Sequence, residues 1–426
     1  MAPSELRFVH AADLHLDSPF TGLRSTAPAH VADDLCNATF AAYDHIVRLC
    51  LDEQVNALLI AGDVYDAADR SLRAQLRFAS GIRRLAEAGI RSFVCHGNHD
   101  PLDGWQARLD LPDLCTRFGP TLGTAPIFPD DPQRAMVHGI SYPTRETKDN
   151  LALYFKDLPK NRFDIALLHA NVGGDPHHDA YAPCSLADLR DTPIDYWALG
   201  HVHARNVLAK RDPAIVYPGN AQGRHTNETG ERGVYLVAVD ADGILSLEFK
   251  AMDEVRWLRK DIDIGGSDSM GEVLDTINAE LDTAREHAGR PMVVRLRITG
   301  RGPMNTELHL PEQVDELLAE VNETWNEETP WIWCDRVRID TQAPVDREAA
   351  LEREDFIGDL ARLAEEMRGS ADASPDVQEA LNVFFETASA RRVLRGFRPT
   401  GEELRRLLIA AEEECLAGLI DEPVQL

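Results

Sequence analysis

A chain of 426 residues exceeds one typical domain and has room for two or three cores. Its 44% hydrophobic and 27% charged residues describe a globular protein, and no window of about 18 uninterrupted apolar residues offers a membrane span. The formal net charge of -28 argues against gripping polyanions through the overall field, so any nucleic-acid contact needs metal ions or local arginines such as Arg224, Arg295, Arg297 and Arg301.

The amino terminus shows no basic segment leading into a long apolar one, and the 7 cysteines are scattered without a C-x-x-C pair. A cytoplasmic, reducing setting is therefore expected, without a disulfide framework or a cysteine zinc site. In chain order, "LRFVHA" reads as a strand, Val31 to Leu51 as a helix, "NALLIAGD" as a strand, Ser71 to Ala88 as a helix and "RSFVCHG" as a strand. This alternation predicts an α/β layered domain with a buried sheet. The runs "RAMVHGIS", "FDIALLHA", "DYWALGHVH", "AIVYPG", "GVYLVAVD" and "LSLEFKA" follow. The close spacing of the last few predicts a second, antiparallel-rich sheet packed on the first.

Near residue 255 the pattern changes. Asp268 to Ala288 and Pro311 to Trp325 read as helices, the second with proline at its first turn, where no backbone donor is needed. "MVVRLRIT" reads as an exposed or edge strand and "PWIWCDRVRID" as another strand, which together predict a small α+β domain. From about Arg347 onward the chain reads as helical, with "RGSADASPD" as a loop between helical pieces. The expected division is 1–254, 255–345 and 346–426.

Groups able to bind a metal collect at the predicted strand ends. "AADLH" carries Asp13 and His15, "AGD" carries Asp63, "HGNHD" carries Asn98 and His99, "LLHAN" carries His169, and "GHVH" carries His201 and His203. In an open α/β sheet, functional groups are expected beyond the carboxyl ends of the strands. Oxygen and nitrogen donors without thiolate suit Mn, Fe or Zn. Paired ions about 3.5 to 4 Å apart clamp a phosphodiester and acidify a bound water. Residues two apart on an extended strand share a side, so Asp13 with His15, and His201 with His203, can face one site; a turn achieves the same.

The ordered set D-x-H, G-D-x-x-D, G-N-H-D, isolated His and G-H-x-H resembles the five motifs of the calcineurin-like metallophosphoesterases over roughly residues 6 to 250. "HAADLHLDSPF", "AGDVYD" and "YPGNAQGRHTNETGERG" resemble, within them, the SbcD and YhaO type of DNA repair exonuclease. The resemblance implies a layered sandwich of two mixed sheets flanked by helices, with a small α+β capping domain and a helical C-terminal region. It implies a metal-dependent exonuclease acting on DNA ends by two-metal hydrolysis, with a metal-bound hydroxide as nucleophile and Mn2+ as the ion. Asp13, His15, Asp63 and His203 would hold one ion, and Asp63, Asn98, His169 and His201 the other. His99 would face the phosphate as catalyst and Asp100 would support it. Asp66 stands where some relatives carry histidine. DNA, an SMC-like ATPase docked on the C-terminal helices, and a second copy of the chain through the helices after Asp66 are the implied partners.

Weaker candidates remain. Arg224 and His225 follow a turn-rich loop and are candidate phosphate contacts. His177 and His178 read as a solvated loop, His10 as a hydrogen-bonded core residue, and Trp325, Trp331 and Trp333 as core of the small domain. Arg295 and Arg297 read as the polar face of an ordinary strand. Two rival readings keep the fold: a phosphoesterase of nucleotides or phosphoproteins, which the long segment after residue 255 disfavours, and a non-catalytic scaffold, which the full ligand set disfavours.

Overall fold

Leucine, isoleucine and valine runs become strands here because both of their faces are covered. In a computed structural model of the chain the described residues are 6–18, 20, 23, 27–66, 71–104, 109–173, 181–240, 245–369 and 401–420. The first sheet is built on β1 (Leu6–Ala11), β2 (Ala57–Ala61), β3 (Arg91–Cys95) and β4 (Cys115–Arg117), all parallel. The second is built on β5 (Gly123–Pro126), β6 (Met136–Gly139), β7 (Asp164–His169), β8 (Tyr196–Gly200), β9 (Asn206–Lys210) and β10 (Ala214–Tyr217), in the order β5-β6-β7-β8-β10-β9.

Alternation along β2 shows how the layers form. Leu59 faces the other sheet, in one cluster with Phe8, Phe93, Ile165, Leu167 and Tyr196. Leu58 and Ile60 face outward and are covered by Phe40, Tyr43 and Ile46 of helix α1 (Ala29–Asp52) and by Phe78 and Ile82 of helix α2 (Leu72–Glu87). Ser71 caps α2, its side chain accepting from the amide of Ala74 at 3.0 Å. On the far side, Leu168, Trp197 and Leu199 pack against Phe155 and against Leu189 of helix α3 (Leu186–Arg190).

Two expectations are corrected. "GVYLVAVD" and "LSLEFKA" form β11 (Gly233–Val239) and β12 (Leu245–Ala251), a hairpin that joins the first sheet antiparallel to β1, with Phe8 opposite Val237. The second sheet is therefore parallel at its centre and antiparallel only at its edges, because β11 finds the free side of β1. "MVVRLRIT" is β14 (Met292–Thr299), the central strand between β13 (Arg256–Asp263) and β15 (Ile332–Ile339), not an edge. Its arginines tolerate that place because Arg295 pairs with Asp335 and Arg297 with Asp261 across the exposed face.

By compactness the chain forms two units: Met1–Ile264, Met270–Thr299 and His309–Asp340 in the first, and Gly265–Ser269, Gly300–Leu308 and Thr341–Leu426 in the second. The border expected between 254 and 255 runs inside the first unit. There α1 and its approach supply Phe20, Val31 and Leu35 to a cluster with Trp257, Val293 and Trp331, and the Trp331 indole donates to Asp34 at 2.7 Å. The Trp325 indole, on a helix spanning Pro311–Trp325, donates to Asn278. All three tryptophans, Trp333 included, thus serve packing. In the second unit, helices Phe356–Gly369 and Gly401–Ile420 share an apolar contact of Ile357, Ala361 and Leu416. Arg347 pairs with Glu413 at 3.1 Å and Arg368 with Glu412 at 2.7 Å. Most of "RGSADASPD", and both His177 and His178, lie outside the described residues.

Candidate metal centre

Where β1, β2, β3, β7 and β8 end, the chain turns sharply, and the turns aim side chains inward. Asp13, His15, Asp63 and His201 all have left-handed backbone, with φ of 51°, 42°, 51° and 99°. Non-glycine residues in that region are strained and cluster at functional sites. The paired residues of D-x-H therefore converge by turning, not by extended alternation. Three backbone hydrogen bonds hold the first two turns together: Asp13 N to Gly62 O, His15 N to Asp63 O, and Leu16 N to Val64 O, at 3.0 to 3.1 Å.

Glycine is required where the layers nearly touch. A Cβ on Gly200 would lie 1.8 Å from the carbonyl oxygen of Ala61, and one on Gly97 would lie 2.3 Å from Asp63 Oδ1. Either would drive backbone or a site carboxylate out of place.

All seven expected ligands meet at this rim. In one half, His15 Nε2 and His203 Nε2 stand 3.2 Å apart. In the other, Asn98 Oδ1 lies 3.0 Å from His169 Nε2 and 3.2 Å from His201 Nδ1. Asp63 Oδ2 reaches both halves, 3.8 Å from His15 Nε2 and 3.3 Å from His169 Nε2. The donor atoms of Asp13, His15 and His203 all lie within 4.8 Å of one another, as do those of Asp13, Asp63 and His169.

Outer contacts orient the rings. His169 Nδ1 donates to Ala61 O at 2.9 Å, and His203 Nδ1 meets Glu228 Oε1 at 2.6 Å, so in each ring Nε2 is the atom left for the site. Motif spacing assigns Glu228 no role, although it stands inside "GRHTNETGERG"; an acidic side chain among basic neighbours is the only signal there.

Residues 6–205 match the family model described as Calcineurin-like phosphoesterase, and residues 257–342 match the one described as Metallophosphoesterase YhaO, middle domain. The chain is 36% identical over 341 residues to the uncharacterized metallophosphoesterase YhaO of Bacillus subtilis, covering 80% of this chain and 83% of that one. The chain belongs to the calcineurin-like metallophosphoesterases. It is also 25% identical over 312 residues to the DNA double-strand break repair protein Mre11 of Aeropyrum pernix, covering 67% of this chain and 72% of that one. To the Mre11 of Halobacterium salinarum it is 24% identical over 333 residues, covering 74% and 77%.

Metallophosphoesterases of this kind are phosphoester hydrolases with a dinuclear metal site. The electrostatics of this chain fit one. Asp13 and Asp63 are each 1% exposed, and among the described residues neither forms an ion pair with lysine or arginine. Burial pushes the Asp13 carboxyl up to about 6, while His169 and His203 pull the other way. For Asp63 burial raises the pKa too, but His169 and His15 outweigh it and hold it well below the usual carboxylate range. Burial opposes charge on His169, yet Asp63 and Asp13 hold its pKa up at about 9. His15 is driven far down by burial and by Arg224, which leaves its ring neutral and able to donate a lone pair. Two buried carboxylates thus demand positive charge in their midst; a protonated His169 supplies part of it, and divalent cations that displaced that proton would supply more.

His99 and Asp100 are adjacent in the chain but their side chains take different partners, and the expected support of one by the other is corrected. The Asp100 carboxylate accepts from the amides of Gly97 at 2.7 Å, Val64 at 3.0 Å and Asp63 at 3.2 Å, and meets His96 Nδ1 at 3.1 Å. It is fully buried and ties the β2 turn to the β3 turn. The partner of His99 is Asp66, whose Oδ1 lies 2.9 Å from His99 Nδ1. Asp66 Oδ2 also accepts from Ser18 Oγ at 3.1 Å and from Arg224 Nη1 at 3.2 Å. That pairing lowers the Asp66 pKa and, together with Asp63, raises that of His99 against the effect of burial.

Arg224 therefore does come to the rim. His225 lies further out, 56% exposed at its side chain and 3.4 Å from Glu228 Oε1. His10 is a buried core residue, its ring between Tyr196 OH at 3.0 Å and Leu199 O at 3.2 Å.

Proposed function

We propose that this metallophosphoesterase is a metal-dependent exonuclease that hydrolyses phosphodiesters at DNA ends in repair, with two Mn2+ ions, in the cytoplasm. The observation that best supports this is the placement of His99. Its side chain remains 30% exposed while the ligand carboxylates are buried, its amide donates to Asp63 Oδ1 at 2.9 Å, and its ring packs on that of His15 at 4.9 Å. A substrate phosphate at the rim can touch this ring, and Asp66 fixes its Nδ1, leaving Nε2 to hold a proton for the departing oxygen. Asp13, His15, Asp63 and His203 would hold one ion and Asp63, Asn98, His169 and His201 the other. When bound, such ions supply Lewis acidity at the phosphoryl oxygen and make water ionise near neutral pH. The likeness to Mre11 proteins supports DNA ends as the substrate.

An SMC-like ATPase would dock on the second unit, where Phe356, Leu363 and Leu407 are exposed, and a homodimer contact would form on α2, where Leu72 and Leu76 are exposed. The test is degradation of end-labelled linear duplex against a covalently closed circle, with Mn2+ and with EDTA. Linear duplex should be shortened only with Mn2+, and Asn98→Ala should abolish this. Hydrolysis of a small aryl phosphodiester with linear duplex left intact would move the substrate to small esters.

A further inference from the structure

A second charged feature lies at the opposite end of the strands. A hollow of about 950 Å³ opens where β7, β8 and β10 begin. β7 is six residues long, so this hollow is separated from His169 by roughly 17 Å along that strand. Lys160, Arg162, Arg190, Lys210 and Arg211 line it. The carboxylates there are Asp195 and Asp212, so five cations face two anions, a surplus of three.

Asp195 is already engaged: its carboxylate pairs with Lys160 and accepts the amide of Asp164 at 2.8 Å. Lys160 also donates to Pro193 O at 2.9 Å. The remaining cations are a different case. Among the described residues, the side chains of Arg162, Arg190, Lys210 and Arg211 find no hydrogen-bond or ion-pair partner. In a chain with 44 basic and 72 acidic residues, cations are scarce, and elsewhere they are matched to carboxylates, as in Arg77 with Asp44, Arg256 with Asp253 and Arg297 with Asp261. Four unmatched cations converging on one concavity are disfavoured by mutual repulsion, which an anion relieves.

The floor limits what that anion is. Phe163, Ile194 and Tyr235 form it, each less than 10% exposed and anchored in the sandwich. The volume is that of a small-molecule site, within roughly 300 to 1,000 Å³. Guanidinium and ammonium groups on a firm wall suit phosphate, which guanidinium can bind through two parallel hydrogen bonds. We propose that this hollow is a second site for a small phosphorylated anion of mononucleotide size, separate from the metal rim. Its charge and shape are independent of the substrate assigned to that rim.

The test is calorimetric titration of the full chain with deoxyadenosine monophosphate and, separately, inorganic pyrophosphate, at low salt and in EDTA, which removes ions from the metal rim. One saturable site is expected for each ligand. The double variant Arg162→Glu with Lys210→Glu should weaken binding by about tenfold or more, because two charge-assisted hydrogen-bond donors are replaced by repelling carboxylates. The milder pair Arg162→Gln with Lys210→Gln should fall between, with melting temperatures equal to the parent chain. Absence of saturable binding, or equal affinity in the charge-reversed variant, overturns the proposal. So does tighter, length-dependent binding of duplex oligonucleotide at equal phosphate concentration, which would make the patch a nucleic-acid surface.

Discussion

Replacing Asp66 and Asp100 separately by alanine should give opposite failures, because Asp66 holds the His99 ring whereas Asp100, its neighbour in the chain, holds the turns. Asp66 makes one charge-assisted contact with His99 at 2.9 Å and a longer one with Arg224 at 3.2 Å, from a position 19% exposed at its side chain. A hydrogen bond to a charged group contributes about 1.5–3 kcal/mol, so Asp66→Ala should lower kcat by about ten- to a hundredfold if His99 acts on the reacting phosphate. Metal content should be unchanged, because the hydrogen bonds of Asp66 run to Ser18, His99 and Arg224, none of which belongs to the two-ion ligand set. Asp100→Ala instead strips acceptors from three buried amides and an imidazole. At about 1–3 kcal/mol for each unsatisfied group, the fold should lose roughly 4 kcal/mol or more. The assay pairs steady-state hydrolysis of a small aryl phosphodiester with urea unfolding and metal analysis of the same preparations. Full kcat in Asp66→Ala protein, or an unfolding midpoint unmoved in Asp100→Ala protein, would refute the assignment.

Three further outcomes rest on the same geometry. Gly200→Ala should destabilise the chain by about 3 kcal/mol, since a Cβ 1.8 Å from the Ala61 carbonyl forces the two sheets apart; thermal unfolding measures it. Adding Mn2+ to EDTA-treated protein at about a hundred times its dissociation constant should stabilise by about 2.7 kcal/mol, and an unchanged melting temperature up to millimolar Mn2+ would contradict the site. His10 is held neutral by burial with a pKa of about 3 against an ordinary value of 6.5. The unfolded chain therefore binds the extra proton below pH 6.5, so stability is full above that pH and falls as pH drops toward 3. Relative to His10→Gln in EDTA, the parent chain should lose about 3 kcal/mol between about pH 7 and about pH 4.5 in urea unfolding.

The rim is legible in the sequence because each ligand directly follows an apolar run, and such runs become strands with predictable ends. Asp13, Asp63, His169 and His203 need only that rule to be gathered. The partners of His99 and His203 do not follow from it. Asp66 is three residues past Asp63 and Glu228 is in a loop after β10, and strand order brings them to the rings they hold, because β2 lies beside β3 in the first sheet and β8 beside β10 in the second. Asp100 misleads because adjacency to His99 suggests contact, whereas the β3 turn points its carboxylate back to the β2 turn. β4 and β5 escape notice for being three and four residues long, and β13 for its charged alternation, "RWLRKDID", whose Trp257 and Ile262 are nonetheless buried.

The strained turns explain why ligands and stability should be coupled in this chain. Left-handed backbone costs a non-glycine residue roughly 1–2 kcal/mol, and Asp13, His15, Asp63 and His201 all carry that cost at one rim. What holds them is fixed by neighbours: Asp13 accepts the His201 amide through both carboxylate oxygens at 3.1 Å, and Asp100 secures the turn after β2. The Asp13 and Asp63 carboxylates are buried with no lysine or arginine partner among the described residues, so part of their desolvation is left for bound cations to offset. Cation binding and closure of the turns are then one equilibrium. Variants that relax a turn, such as Gly200→Ala, should weaken Mn2+ binding and lower stability together, while Asp66→Ala should leave Mn2+ binding unchanged.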